Sequence, residues 1–182
     1  MLDLPLTPAS FRTVASRYAT SVTVITTSSD GFDHAMTATS FTTVSLDPML
    51  VLMCVESNTR FRDALVGEDL EQAVGKPWVV NVLHENLAGT ASWFATKGRP
   101  LHGQFDRVRC SRGTETGLLM FDEALSVMEV ETTEAIEMGD HIVVIGKVLS
   151  LKIAREDVDE ESENPADWPL TYWARQYRNL SH

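Results

Sequence analysis

Short strand-like segments separated by turn signals run through this chain and restrict the folds open to it. Strand patterns occur at residues 21–27, 49–55, 78–83, 118–131 and 140–153. Asp30-Gly31 is typical of a hairpin turn, and residues 135–139 are expected to connect the last two strands. Because these strands do not alternate with long helices, we predict a mainly β protein, an antiparallel barrel with short α insertions.

Short helices are predicted between the strands. The first begins at Thr7-Pro8, where a hydroxyl N-cap precedes a proline at the first helical position. The second follows residue 59, and the third is expected to be capped by Asn86. Their inward-facing positions recur at helical spacing at Phe11, Val14, Ala15 and Tyr18, then Phe61, Ala64 and Leu65, then Leu87, Thr90, Ala91 and Phe94.

The composition fits one domain over residues 1–182, with 43% hydrophobic residues to form its core. A net charge of -11 excludes nucleic acid and anionic membranes as natural partners, because both would repel the chain. No apolar run reaches the length of a membrane span. Cys54 and Cys110 have no metal-ligand spacing and the histidines form no paired motif, so no metal site is expected. We expect both cysteines to be reduced in a cytoplasmic protein.

Residues 35–48 are unusually rich in hydroxyl side chains, with Thr37, Thr39, Ser40, Thr42 and Thr43 close together. Small residues let a ligand approach the backbone, and hydroxyls with free N–H groups offer hydrogen bonds without fixed charge. This pattern suits a flat polar heterocycle. It is equally compatible with a threonine-rich surface strand.

Residues 54–60 follow an apolar strand and end in polar and basic side chains. Ser57, Asn58 and Thr59 offer donors, while Arg60 and Arg62 add guanidinium groups that match phosphate geometry. The segment therefore predicts a phosphate cradle. The alternative is simple helix capping with solvent-exposed arginines.

Two glycine-containing loops carry histidine or arginine. In Gly139-Asp140-His141 the aspartate can orient an imidazole that binds a ligand or moves a proton, although a turn with a surface histidine has the same pattern. Residues 98–103 include Arg99 and His102 and are compatible with either a site wall or a chain turn.

The C-terminal region changes character twice. Residues 156–167 form an acidic run, which we interpret as a solvated loop. Residues 168–182 then bring back aromatic side chains, and these are expected to pack on the domain or on a second subunit.

Taken together, FRTVASRYATSVTVITT, HAMTATSFTTVSLDPMLVLMCVESNTRF, WVVNVLHENLAGTASWFAT, GDHIVVIGKV and LTYWARQY resemble the flavin reductase-like family in the same order. The resemblance covers residues 11–177. It implies an FMN-binding split β-barrel, a Greek-key-like antiparallel barrel. It also implies an NAD(P)H:flavin oxidoreductase acting on FMN or FAD, with NADH or NADPH as cosubstrate.

The family resemblance also assigns candidate site residues. His141 is the catalytic candidate, in the sense of orienting the nicotinamide nucleotide or donating a hydrogen bond. The expected cofactor-binding set is Met36, Thr37, Ala38, Thr39, Ser40, Cys54, Val55, Glu56, Ser57, Thr59, Arg60, Phe94, Gly139, Asp140, His141, Tyr172 and Tyr177. Hydride transfer between two stacked rings requires no nucleophile or metal.

Partners and alternatives follow from the same resemblance. A homodimer is expected, and a flavin-dependent monooxygenase is the expected recipient of reduced flavin. A non-catalytic flavin-binding carrier, sensor or electron-transfer module is the alternative. A pyridoxamine-phosphate oxidase-like enzyme is a weaker alternative, because such an enzyme would need more basic residues around its substrate phosphate than this sequence contains.

Overall fold

The computed structural model describes residues 1–155 and 161–180. The helices are α1 Pro8–Ala15, α2 Arg60–Leu65 and α3 Ala88–Ala95, with 3-10 turns at Leu70–Ala73, Glu85–Leu87 and Pro165–Asp167. The strands are β1 Thr20–Ser21, β2 Thr23–Ser29, β3 Phe32–Ala38, β4 Thr42–Leu46, β5 Met49–Glu56, β6 Pro77–Val82, β7 Cys110–Arg112, β8 Leu119–Phe121, β9 Ser126–Met138, β10 His141–Ile153, β11 Thr171–Trp173 and β12 Gln176–Arg178.

Seven strands form one antiparallel sheet in the order β3-β2-β6-β9-β10-β5-β4. Its two edge strands are joined directly by residues 39–41, which span roughly 14 Å at full extension. The edges of a flat sheet of this width would lie roughly 29 Å apart, so this sheet must curl. The curled sheet is not closed, because the order ends at β3 and β4 without a ladder between them. The prediction of a mainly β, split-barrel fold is confirmed.

The predicted strand over residues 118–131 is two strands, β8 and β9, separated by residues 122–125. The long hairpin β9–β10 also differs from its prediction. β9 continues to Met138, and Ile136 still pairs with Val143, so only Gly139 and Asp140 form the turn. The expectation that residues 135–139 connect the strands was wrong, because the ladder hydrogen bonds extend through a segment with few apolar residues. The predicted tight turn at Asp30-Gly31 is confirmed, with φ of 53° and 78°.

Side chains from alternate positions form a hydrophobic core on each face of the sheet. Ile25, Trp78 and Val80 belong to one cluster, whereas Val24 and Val79 belong to the other, with α3 packed beside them. The strands at the centre of the sheet are therefore covered on both sides, as their apolar runs predict.

One glycine in β10 is required by this packing. A Cβ atom at Gly146 would lie 2.4 Å from Val130 Cγ1 and 3.0 Å from Trp78 Cζ2. The register shifts beside this glycine, between Ile145 and Gly146. The absence of a side chain lets the two long strands approach at the bulge.

The run at residues 49–55 was expected to be fully buried, and this is only half correct. Val51, Met53 and Val55 are buried, while Leu50 and Leu52 on the other face are only half-buried. Leu52 pairs with Ile145 on β10, so their side chains share that face. We name the apolar residues of this face the outer strip: Leu50, Leu52, Val143, Ile145 and Leu149.

The predicted helix α1 is present, but its apolar face is not covered. Phe11 is 69% exposed, Val14 is 61% exposed and Tyr18 is 76% exposed. The predicted cap at Asn86 was wrong, since that residue lies in a 3-10 turn and α3 follows Leu87.

The C-terminal aromatics pack on the domain, as expected. Leu170 is buried, and Tyr172 and Tyr177 contact the core cluster beside α3. Of the acidic run 156–167, residues 156–160 lie outside the described part of the chain, as do residues 181–182 at the end of the tail. In the described part, no helix is both long and apolar enough to cross a membrane.

Candidate functional site

A cavity of about 470 Å³ lies where β3, the end of β5, the start of α2, the end of α3 and the first residue of β10 meet. This volume lies in the range of pockets that hold cofactors and small organic ligands. The cavity is lined by His34, Ala35, Met36, Thr37, Ala38, Thr39, Ser40, Cys54, Glu56, Asn58, Thr59, Arg60, Phe61, Phe94, Ala95, Thr96, Lys97, Gly98, Arg99 and His141.

The hydroxyl-rich segment forms one wall, and part of its hydroxyls hold that wall in place. Thr37 Oγ1 donates a 2.6 Å hydrogen bond to the carbonyl of Ala91 on α3. Ser40 Oγ donates to the Cys54 carbonyl at 3.1 Å and accepts from the Cys54 N–H at 3.0 Å. Thr39 is exposed and its hydroxyl has no hydrogen bond within residues 1–155 and 161–180. Among the three, Thr39 therefore has the hydroxyl available to a ligand.

The ends of β5 and β10 form a second wall. His141 pairs with Glu56, and Cys54 lies two residues earlier on the same face of β5. Because side chains alternate along a strand, Val55 points to the opposite face and is fully buried in the core. Of the predicted residues in β5, Val55 can offer a ligand only its backbone.

The segment entering α2 serves the helix as well as the cavity. The Thr59 hydroxyl accepts a hydrogen bond from the Arg62 N–H at 3.2 Å and donates to the Glu56 carbonyl at 2.9 Å. Arg62 turns away and donates to the Gly67 carbonyl at 2.6 Å. Ser57 does not line the cavity, and its buried hydroxyl has no hydrogen-bond partner among the residues that the structure describes. The Thr59 hydroxyl therefore caps α2, and Arg60 is the basic side chain of this segment that lines the cavity.

Arg99 is the most heavily connected side chain at the cavity. It is 8% exposed. Its guanidinium donates to the carbonyls of Phe94 at 2.9 Å and Thr96 at 3.2 Å, to Gln104 Oε1 at 2.9 Å, and to the Ala35 carbonyl. It also lies 5.0 Å from the centre of the Phe94 ring. Arg99 therefore ties β3 to the end of α3.

Within residues 1–155 and 161–180, Lys97 is paired with Glu56, but no carboxylate forms an ion pair with Arg60 or Arg99. Arg60 Nη1 donates to the Arg99 carbonyl at 3.1 Å. Burial, followed by the nearby Arg60 charge, lowers the pKa of Arg99 to about 10, so it stays protonated at neutral pH. Burial and Arg60 also lower the pKa of His34, which keeps that imidazole neutral. The arrangement favours an anionic ligand group.

The remaining polar groups offer little for nucleophilic or metal chemistry. Burial raises the pKa of Cys54, so its sulfur remains a thiol. Glu56 pairs with Lys97 at 2.8 Å, and His141 Nδ1 lies 2.7 Å from Asp140 Oδ1. No cluster of metal-ligating side chains occurs among the residues described. The site can position a flat ring with an anionic tail, which fits the donor set expected for a flavin.

The other predicted residues lie near the cavity without lining it. Gly139 and Asp140 form the turn before His141. Tyr172 and Tyr177 line a separate groove on the far side of the end of α3. Eleven of the candidate residues predicted from the sequence line this cavity, namely Met36, Thr37, Ala38, Thr39, Ser40, Cys54, Glu56, Thr59, Arg60, Phe94 and His141.

Sequence reasoning did not assign several lining residues to the site, above all His34, Lys97 and Arg99. For Arg99 a signal existed, because a basic residue in a Gly-Pro loop was compatible with a site wall. Both interpretations of that loop apply to residue 99, which turns the chain and also lines the cavity. His34 and Lys97 carry no pattern that separates them from surface residues.

Comparisons with known proteins agree with this geometry. The family described as flavin reductase like domain matches residues 15–181. The "Flavin reductase (NADH)" of Kitasatospora aureofaciens is 31% identical over 97% of this chain and 86% of its own length. The reductase component of an FADH(2)-dependent resorcinol hydroxylase from Rhizobium sp. (strain MTP-10005) is 30% identical over 92% of this chain and 84% of its own length.

A solved structure extends the comparison to the fold. The crystal structure of BorF, the flavin reductase component of a bacterial two-component tryptophan halogenase, superposes with a TM-score of 0.80. It is 34% identical and covers 97% of this chain and 99% of that chain. By contrast, the chain spans only 43% and 59% of the length of two relatives from Rhizobium meliloti (strain 1021).

Proposed function

The chain belongs to the flavin reductase like domain family, and on that basis we propose that it reduces FMN or FAD with NADH or NADPH. The observation that carries the proposal is the cavity itself. It joins an available Thr39 hydroxyl, two guanidinium groups and His141 in a site without a metal cluster among the described residues. These residues would hold a flavin, which would supply the hydride acceptor for a nicotinamide nucleotide.

The chain's contribution to this reaction is positioning and electrostatics. The hydroxyl-rich wall, fixed by Thr37 and Ser40, holds the ring through backbone groups and Thr39. Arg60 and Arg99 supply the positive charge that holds the anionic end of the ligand. Phe94 covers the site from α3 and is itself 2% exposed, so it also limits water.

His141 is proposed to orient the nicotinamide nucleotide. Its ring lies at the cavity edge, and Asp140 holds Nδ1 at 2.7 Å. This leaves Nε2 for a hydrogen bond to the nucleotide. The bonded carboxylate fixes the ring orientation, as it does for histidines at many binding sites.

A homodimer is proposed on the basis of the outer strip. Leu52 and Ile145 are half-buried, while Leu149 is 39% exposed. Cys54 and His141 continue the same face of β5 and β10 into the cavity. An apolar face that runs into a ligand site suits a second copy of the chain, which would also cover part of the cavity.

A flavin-dependent monooxygenase is the proposed recipient of the reduced flavin. Support comes from the relatives, which include the reductase component of a resorcinol hydroxylase. Cys54 and Cys110 are both unpaired, which supports the proposed location in the reducing cytoplasm.

The proposal is tested by NADH and NADPH oxidation with purified protein and FMN, FAD or no flavin. We expect oxidation that depends on added or bound flavin, and the two cosubstrates to be ranked by their rates. Flavin binding with no turnover for either cosubstrate would instead support a non-catalytic flavin carrier.

A further inference from the structure

A shallow groove of about 330 Å³ lies between α3 and the β11–β12 hairpin. It is lined by Ser92, Ala95, Thr96, Tyr172, Arg175, Gln176 and Tyr177. Ala95 and Thr96 also line the candidate cavity. The groove and the cavity therefore share the two residues at the end of α3, and a ligand that occupied both would cross there.

Two tyrosines form the aromatic part of the groove. The rings of Tyr172 and Tyr177 lie 5.5 Å apart at an angle of 63°. Burial raises the pKa of Tyr177, and its ring packs against the core cluster that contains Ala91 and Phe94 of α3. Because this ring is anchored at both the hairpin and the helix, the pair offers a fixed surface for a flat base.

The basic part of the groove is presented by a strained turn. Ala174 and Arg175 have φ of 52° and 64°, the left-handed region that two-residue hairpin turns require and that glycine or asparagine normally fills. Arg175 is exposed and makes no ion pair or hydrogen bond with residues 1–155 or 161–180. Arg178, on the same hairpin, instead lies 5.7 Å from the Trp173 ring. The hairpin pairing of Trp173 with Gln176 requires this backbone conformation, and the turn presents the Arg175 side chain at the groove.

The route between cavity and groove is suitable for a phosphate. A helix C-terminus normally presents bare carbonyl oxygens that disfavour anions. Here Arg99 binds the carbonyls of Phe94 and Thr96, and Lys97 follows directly in the chain. The Arg99 guanidinium therefore covers part of the negative end of α3, whereas the Lys97 ammonium pairs with Glu56.

We propose that this groove binds the adenylate half of a dinucleotide, with Arg175 on a phosphate and the base against Tyr172 and Tyr177. The inference rests on the proposed flavin reduction, which supplies two ligands of this chemistry, FAD and NADH. If FAD is the occupant, the groove makes the protein prefer FAD to FMN. If NADH is the occupant, it lowers KM for NADH without a flavin preference.

The test compares wild type with Arg175→Gly, Arg175→Lys and the hairpin control Arg178→Gln. The readouts are Kd for FAD and for FMN from tryptophan fluorescence, and KM for NADH with FMN as acceptor. Arg175→Gly relieves the turn and should raise the thermal midpoint, so lost binding cannot be assigned to unfolding. We expect about a tenfold loss in one dinucleotide readout, unchanged FMN affinity, and partial recovery in Arg175→Lys.

The two dinucleotide readouts show whether FAD or NADH provides the adenylate group that binds in the groove. A raised Kd for FAD alone assigns the groove to FAD, and a raised KM for NADH alone assigns it to NADH. The proposal is overturned if Arg175→Gly changes neither, or if Arg178→Gln changes them equally. If wild type lacks NADH oxidation but Arg175→Gly still weakens FAD and not FMN, the groove stands while the reductase proposal fails.

Discussion

At the scale of single residues, Arg99 holds the candidate site together through carbonyl groups rather than through an acid. Its donors reach Ala35 on β3, Phe94 and Thr96 at the end of α3, and Gln104. A buried charge is stable only when its donors are satisfied. The planar fork of a guanidinium meets several separate acceptors at once, which a compact ammonium cannot do.

Replacing Arg99 with lysine should therefore destabilise the protein even though the charge is kept. We expect Arg99→Lys to lower the free energy of unfolding by about 2 kcal/mol, measured by urea denaturation, and to weaken FMN binding. Arg109→Lys is the control, because Arg109 forms an exposed pair with Glu123 and its change should cost less than about 0.5 kcal/mol. Equal effects of the two substitutions would show that Arg99 has no special structural role.

His141 gives a second prediction at this scale. Because His141 lines the cavity and belongs to neither core cluster of the described residues, His141→Ala should leave the Kd for FMN within about twofold while raising KM for NADH about tenfold. Steady-state kinetics with FMN as acceptor and a separate FMN titration measure the two effects. His102→Ala is the matched control, since that ring packs on Phe32 away from the cavity. Loss of FMN binding in His141→Ala would contradict the proposed role.

At the scale of elements, a buried carboxylate joins the loop at residues 113–118 to β9. Glu129 is 0% exposed and accepts hydrogen bonds from the Thr116 N–H and hydroxyl, the Glu115 N–H and the Ser150 hydroxyl, at 2.7 to 3.1 Å. A Cβ at Gly113 would lie 2.1 Å from Glu129 Oε2, so only glycine fits beside this carboxylate. Burial alone would raise the pKa of Glu129, but these hydrogen bonds outweigh it and lower the pKa below 4.5.

This shift predicts a pH-dependent stability. Because the folded pKa lies below the unfolded one, the stabilisation is present above about pH 4.5 and is lost as the pH falls through the folded pKa. Glu129→Gln should lower the free energy of unfolding by about 1–3 kcal/mol at neutral pH, and this difference should shrink in acid. Denaturant unfolding across the pH range, with exposed Glu131→Gln as control, measures it. A difference that stays constant with pH would contradict the account.

The elements that the sequence predicted best are those set by local chemistry. The Asp30-Gly31 turn and the inner face of α2 at Phe61 and Ala64 follow from residue type and spacing alone. The hydroxyl-rich wall was located for the same reason. The hydrogen bonds of Glu129 and Arg99 include backbone groups that are distant in sequence. Every residue has these backbone groups, so the residue pattern could not predict these contacts.

At the scale of the whole molecule, the outer strip predicts self-association. Wild type should have twice the 20.2 kDa chain mass by light scattering. Ile145→Glu places a charge in the middle of the strip and should give a monomer, because an unpaired buried charge opposes the interface. Ser111→Glu, at an exposed position of β7 outside this sheet, should remain dimeric. A dimer that survives Ile145→Glu would place the interface elsewhere, with the exposed face of α1 as the next surface to test.

The most direct test of the central claim asks whether flavin is reduced in the cavity. Thr39→Trp should fill the cavity from an exposed position without disturbing the core, while Thr43→Trp adds the same ring to an exposed site on β4 outside the cavity. The measurement is the loss of flavin absorbance after anaerobic mixing of protein, FMN and NADH. We predict rapid reduction by wild type and Thr43→Trp, and a large loss of rate in Thr39→Trp. Equal rates in all three proteins would show that this cavity is not where the flavin is reduced.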